Sequence, residues 1–99
     1  MALEIVWSPR ALDNFHGVIA YPEENWFESV VRDFVKRTEN VLHMIADHPN
    51  MFRPITEGSL IREAVVTKHN LLVYKATESK ILILAVFDTR QHPKKKRIF

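Results

Sequence analysis

The chain contains no cysteine and only two glycines, Gly17 and Gly58. Without thiols there is neither a disulfide framework nor a thiolate metal site, which suits a reducing cytoplasm. So few glycines exclude a glycine-rich phosphate loop and a strained nucleophile elbow. No apolar run approaches the ~20 residues needed to span a bilayer. The opening Met1-Ala2-Leu3-Glu4-Ile5 also lacks the basic flank and long apolar stretch of a signal peptide. Internal repeats and low-complexity segments are missing too. A cytoplasmic, soluble protein with no membrane partner is therefore expected.

What is present is enough for one domain. Ninety-nine residues make a single unit over residues 1–99, able to bury roughly 65% of the surface of its unfolded chain. That is room for two layers around one modest core. A net charge of +2 conceals an uneven distribution: residues 1–50 carry four Lys/Arg against eight Asp/Glu, and residues 51–99 carry ten against four. The halves thus have net charges of −4 and +6. Lys94, Lys95, Lys96 and Arg97 form a basic run in a tail over residues 94–99. Attraction to a polyanion would come from the C-terminal half.

Periodicity divides the chain into helical and extended parts. Leu3 to Trp7 reads as a short strand, closed by Ser8-Pro9, a good N-cap followed by proline at the first helical position. The helix that follows carries an apolar stripe of Leu12, Phe15 and Ile19, with Val18 beside them, and Pro22 ends or kinks it near Tyr21. A second, amphipathic helix from Glu28 to Asp47 has Val30/Val31, Phe34/Val35, Thr38, Val41/Leu42 and Ile45 on one side. His48-Pro49-Asn50 ends it, and Met51 to Ser59 is a loop. The period then becomes extended: Leu60 to Val66, a turn at Lys68-His69-Asn70, Leu71 to Ala76, a turn at Thr77 to Lys80, and Ile81 to Phe87. The expected fold class is α+β, with an N-terminal strand and a helical hairpin on one face of a mainly antiparallel sheet that ends in a three-stranded meander.

Ile81 to Phe87 raises a functional question. Seven consecutive apolar residues point both ways from a sheet that has helices on one face only. The second face needs cover, either from the Met51–Ser59 loop or the tail with Ile98-Phe99, or from another chain.

With these residues in place, the sequence resembles the RelE/ParE superfamily of bacterial toxin–antitoxin toxins over nearly its whole length. The resemblance rests on Trp7-Ser8-Pro9-Arg10-Ala11 entering the hairpin, Asp47-His48-Pro49 closing it, and Arg62 early in the meander. Tyr74-Lys75 in the next strand and Phe87-Asp88-Thr89-Arg90-Gln91-His92-Pro93 at the end complete it. The last run is similar to an ending common on the ParE-like side. Tyr74-Lys75 departs from the more usual Tyr-Arg and gives up the planar bidentate fork. The resemblance implies a plasmid-stabilising toxin neutralised by a cognate antitoxin, whose segment folds over the sheet on binding.

Two activities follow from that resemblance. RelE-like members cut mRNA on the ribosome, and ParE-like members inhibit DNA gyrase by binding. Cleavage needs a proton acceptor, cations for the phosphorane and an acid for the leaving oxygen. Here Arg62, Lys75, Arg90 and His92 are the candidates for those roles. Inhibition needs a cationic, shape-specific surface, for which the candidates are Arg62, Lys75, Arg90, Lys94, Lys95, Lys96 and Arg97. RelE-like nucleases commonly place a tyrosine after the last strand, whereas the last tyrosine here is Tyr74. Gyrase inhibition is therefore expected, with the ribosome and mRNA as the alternative target. No cofactor or metal is expected: His43 and Asp47 stand four apart on a helix without a third ligand. Trp7 and Trp26 read as packing residues, and Glu63 as a partner in a cross-strand ion pair.

Overall fold

A computed structural model describes residues 3–20 and 28–88 of the protein. The elements in chain order are β1 (Glu4–Trp7), α1 (Pro9–Ile19), α2 (Glu28–Asp47), β2 (Ile61–Thr67), β3 (Asn70–Ala76) and β4 (Lys80–Asp88). One four-stranded sheet has the order β1-β4-β3-β2, with β1 parallel to β4 and the other pairs antiparallel. This is the expected α+β architecture. The apolar β4 occupies an interior position, and the hairpin helices cover one face of it.

Local chemistry sets the entry into the hairpin. Ser8 has an extended backbone, and its side chain accepts a hydrogen bond from the Ala11 amide at 3.0 Å while Pro9 occupies the first turn. The same Ser8 hydroxyl donates to the Leu84 carbonyl at 3.2 Å, and the Ser8 amide donates to the Ile83 carbonyl at 3.0 Å. The cap of α1 is thereby also the continuation of the β1–β4 ladder.

The buried stripe of α1 differs from the expected one. Ala11 and Val18 are its buried residues, Phe15 and Ile19 are half-buried, and Leu12 is 41% exposed. The helix crosses β4 closely, so a methyl group at position 11 meets the sheet and the larger Leu12 turns away. Phe15 then joins Trp7, at a centroid distance of 5.3 Å, to Phe34 of α2 at 5.4 Å. Trp7 is a packing residue, as expected; Trp26 and Tyr21 lie outside the described residues. On α2 the buried residues are Phe34, Thr38, Val41, Ile45 and Ala46. Thr38 is tolerated there because its hydroxyl donates to the Phe34 carbonyl at 2.8 Å.

Tyr74 ties the sheet to the end of the hairpin. Its ring is fully buried, packs edge-on against Phe52 at 6.3 Å, and its hydroxyl donates to the Pro49 carbonyl at 2.7 Å. Burial pushes the phenol above its ordinary value of 10.0, an effect partly offset by the Arg62 guanidinium opposite it on β2.

Two outcomes follow. Ser8→Ala removes a helix cap and a bond to Leu84, and should lower unfolding free energy by about 1–2 kcal/mol in a urea titration. Tyr74→Phe should cost about 1 kcal/mol at neutral pH through the lost bond to Pro49. The folded protein holds the Tyr74 proton more tightly than the unfolded chain does. Its contribution is complete below the unfolded pKa of about 10 and is lost as pH rises through the higher folded value. The difference in urea midpoint between wild type and Tyr74→Phe should therefore shrink above that pH, and a constant difference would contradict the assignment.

Candidate functional site

The face of the sheet away from the helices is neither bare nor fully covered. On β4, Ile81 and Ile83 point to the helices, and a bulge then intervenes: Val73 pairs with Ala85 and Tyr74 with Ile83, leaving Leu84 without an opposite residue. Beyond it the alternation is reset, so Val86 joins the helix-side core while Ala85 and Phe87 join Val73 on the outer face. Ile61, Leu71 and Leu84 pack half-buried around this second cluster.

Part of the cover comes from the Met51–Ser59 loop, one of the sources expected from the sequence. Pro54 bridges Arg62, with Ile55 N–H donating to Ile61 O at 2.9 Å and Glu63 N–H to Arg53 O at 3.1 Å. Gly58 takes a φ of +80°, which only glycine adopts without strain, and turns the loop back into β2. Between loop and sheet lies a hollow of about 430 Å³ floored by Val73 and Phe87. On its rim the Arg53 Nη2 and Nε reach the Glu63 Oε1 at 2.9 and 3.2 Å. Glu63 thus pairs with the loop and not across strands.

Next to the hollow a single row crosses the whole outer face. Register aligns Val6 of β1 with Leu82 of β4, Leu82 with Lys75 of β3, and Lys75 with Ile61 of β2. All four are half-buried. A lysine set among three aliphatic residues covers them with its methylene stem while keeping its ammonium in water. Such a row is half-buried apolar surface that a partner chain can cover, with the Lys75 ammonium available to an acidic group of that partner.

The candidate residues from the sequence do not all converge. Arg62 pairs with Tyr74 on the helix side, and its Nη1 donates to the Phe52 carbonyl at 2.6 Å. Lys75, one residue on from Tyr74, faces the opposite way, so the sheet separates Arg62 from Lys75. Arg90, His92, Lys94, Lys95, Lys96 and Arg97 lie outside the described residues. The described part of β4 ends at Asp88, which is buried and paired in register with Asn70 beside the β2–β3 turn. Among the described residues no group of three or more His, Asp or Glu side chains could hold a metal ion. No described helix is long and apolar enough to cross a membrane. Sequence reasoning missed the bulge and the engagement of Tyr74 by Pro49. The first has no composition signal in an all-apolar run, and the second joins residues 25 apart.

Comparison with known proteins is consistent on fold and family. The chain is similar to the YoeB dimer from Staphylococcus aureus, with a TM-score of 0.63 and 16% identity, over 88% of this chain and 97% of that one. It is similar to YafQ from E. coli strain BL21(DE3), with a TM-score of 0.64 and 10% identity, over 89% and 94% of the two chains. A chain of the chromosomal ParDE system from P. aeruginosa aligns with a TM-score of 0.60 and 15% identity, over 88% and 96%. At these identities the likeness establishes the fold. No curated protein sequence matches significantly. The family described as "ParE toxin of type II toxin-antitoxin system, parDE" matches residues 5–93. With nearly the whole chain matched, the protein belongs to the ParE toxin family of type II toxin–antitoxin systems.

Proposed function

We propose that the protein is the toxin of a two-protein system, held inactive by a cognate antitoxin, and that it acts by binding DNA gyrase rather than by cutting RNA. The observation that carries this reading is the division of polar groups between the faces of the sheet. Arg62, one of the candidate cations for phosphate chemistry, and Tyr74, the last tyrosine of the chain, are engaged by the backbone of Phe52 and Pro49 on the helix side. The raised phenol of Tyr74 is a poor base, since proton acceptance requires a pKa near the working pH. Lys75 instead stands in an aliphatic row on the outer face, an arrangement suited to partner contact.

In this reading Lys75, Arg90 and the Lys94–Arg97 run make the cationic part of the target contact. The antitoxin covers the Val6–Leu82–Lys75–Ile61 row and blocks access to it. The family match and the fold shared with ParDE and DinJ–YafQ proteins support an antitoxin partner. Cleavage of mRNA on the ribosome is the second reading. It would draw on Arg62, Lys75, Arg90 and His92, of which Arg62 and Lys75 stand on opposite faces of the sheet and His92 is the one imidazole near the end of β4 in the chain order.

Expression of the chain alone should arrest bacterial growth, and co-expression of the adjacent reading frame should relieve it; normal growth at confirmed expression would count against a toxin. Purified protein should inhibit supercoiling by gyrase and leave cellular mRNA uncut in primer extension. His92→Ala should leave that inhibition within about twofold, because no proton transfer is involved. Codon-specific cleavage that is abolished by His92→Ala would select the nuclease instead.

A further inference from the structure

A second cleft lies between the first half of α2 and the β2–β3 turn, on the helix side and away from the outer-face row. Its volume is about 500 Å³, with Val30, Asp33, Phe34 and Arg37 on the helix wall and Lys68 and Asn70 on the turn wall. That is within the range of about 300–1,000 Å³ typical of small-molecule sites and too small for a helix or a duplex. The four helix residues follow a one-face spacing, so they present together.

Asn70 supplies the observation that points to a ligand. The residue is 2% exposed, its Oδ1 accepts from the Thr67 hydroxyl at 2.6 Å, and its Nδ2 has no hydrogen-bond partner. A buried donor without an acceptor is destabilising and rare in native structures. A ligand oxygen brought into the cleft would provide the missing acceptor. The neighbouring chemistry narrows the class. Asp33 and Arg37, paired at 2.7 Å, put a carboxylate and a guanidinium side by side on the wall. Val30 is 38% exposed and Phe34 lies beneath it, giving the cleft an apolar side. Lys68 places one ammonium at the mouth.

We infer that this cleft binds a mononucleotide unit. Its heterocyclic base lies against Val30 and Phe34, with a carbonyl oxygen on the Asn70 amide and an N–H toward Asp33, while Lys68 meets the phosphate. A base carbonyl satisfies the Asn70 amide while the ring covers Val30 and the phosphate meets Lys68, whereas inorganic phosphate leaves Val30 bare. The site is independent of whether gyrase or mRNA is the target.

The test is an NMR titration of the isotope-labelled chain with adenosine and uridine 5′-monophosphates, the nucleosides, inorganic phosphate and an oligoglutamate peptide. Nucleotides should shift the Asn70 side-chain amide and the Val30 methyls saturably below ~10 mM. Inorganic phosphate should leave the Val30 methyls unmoved. Asn70→Asp, which replaces the donor by an acceptor, should weaken nucleotide binding about tenfold. Because that variant can fail to fold, exposed Lys68→Ala is the second: it should weaken nucleotides severalfold and leave nucleosides unchanged. Absence of saturable shifts at Asn70, equal binding by either variant, or saturation by oligoglutamate alone would overturn the proposal.

Discussion

The structure depends on how the backbone of β4 is satisfied once β1 runs out. β1 has four residues and β4 nine, and their parallel ladder stops at the Trp7–Ile83 pair. Past that point an interior strand would face α1 with bare carbonyls and amides, each costing about 1–3 kcal/mol if left buried and unpaired. Two polar side chains of α1 take over. Ser8 Oγ donates to the Leu84 carbonyl, and Asn14 Oδ1 accepts from the Val86 amide at 3.2 Å. The helix therefore sits where it does because its cap and its second turn replace a missing strand. The bulge at Leu84 occurs within the same span, where β4 is held by side chains on one edge and by β3 on the other.

This constraint makes β4 two-faced. Before the bulge its inward residues Ile81 and Ile83 fill the core beneath the hairpin; after it Val86 does so, and Ala85 and Phe87 are released to the outer cluster. A strictly alternating strand would send Ala85 and Phe87 inward with Ile81 and Ile83. The outer face gains its own apolar centre, partly closed by the Arg53–Ile55 segment. What remains beside it is the row containing Lys75, which runs from Val6 of β1 to Ile61 of β2. The same sheet thus keeps Arg62 and Tyr74 in a structural role and Lys75 in a position to meet a partner.

Much of this was legible in the sequence, for physical reasons. Ser8-Pro9 announces a helix start, the 3.6-residue period of α2 survives along its length, and alternating apolar strands separated by polar turns give the meander. The motif order led to the right superfamily. Leu12 misled because stripe reading weighs size, while close helix–sheet approach selects the small Ala11. The split of Arg62 from Lys75 follows from strand pairing, which depends on register and is invisible to a search for cations. Asn70, at a turn, gave no hint that its amide lacks an acceptor, since that depends on Thr67 and on the wall formed by α2.

The central claim is that the outer-face row carries target contact while the helix side holds the fold. Lysine-acetylation footprinting of the chain with and without purified gyrase tests it most directly. The account predicts that Lys75 becomes protected on binding while Lys36, exposed on α2, keeps its reactivity. Protection of Lys36 with Lys75 still reactive would contradict it.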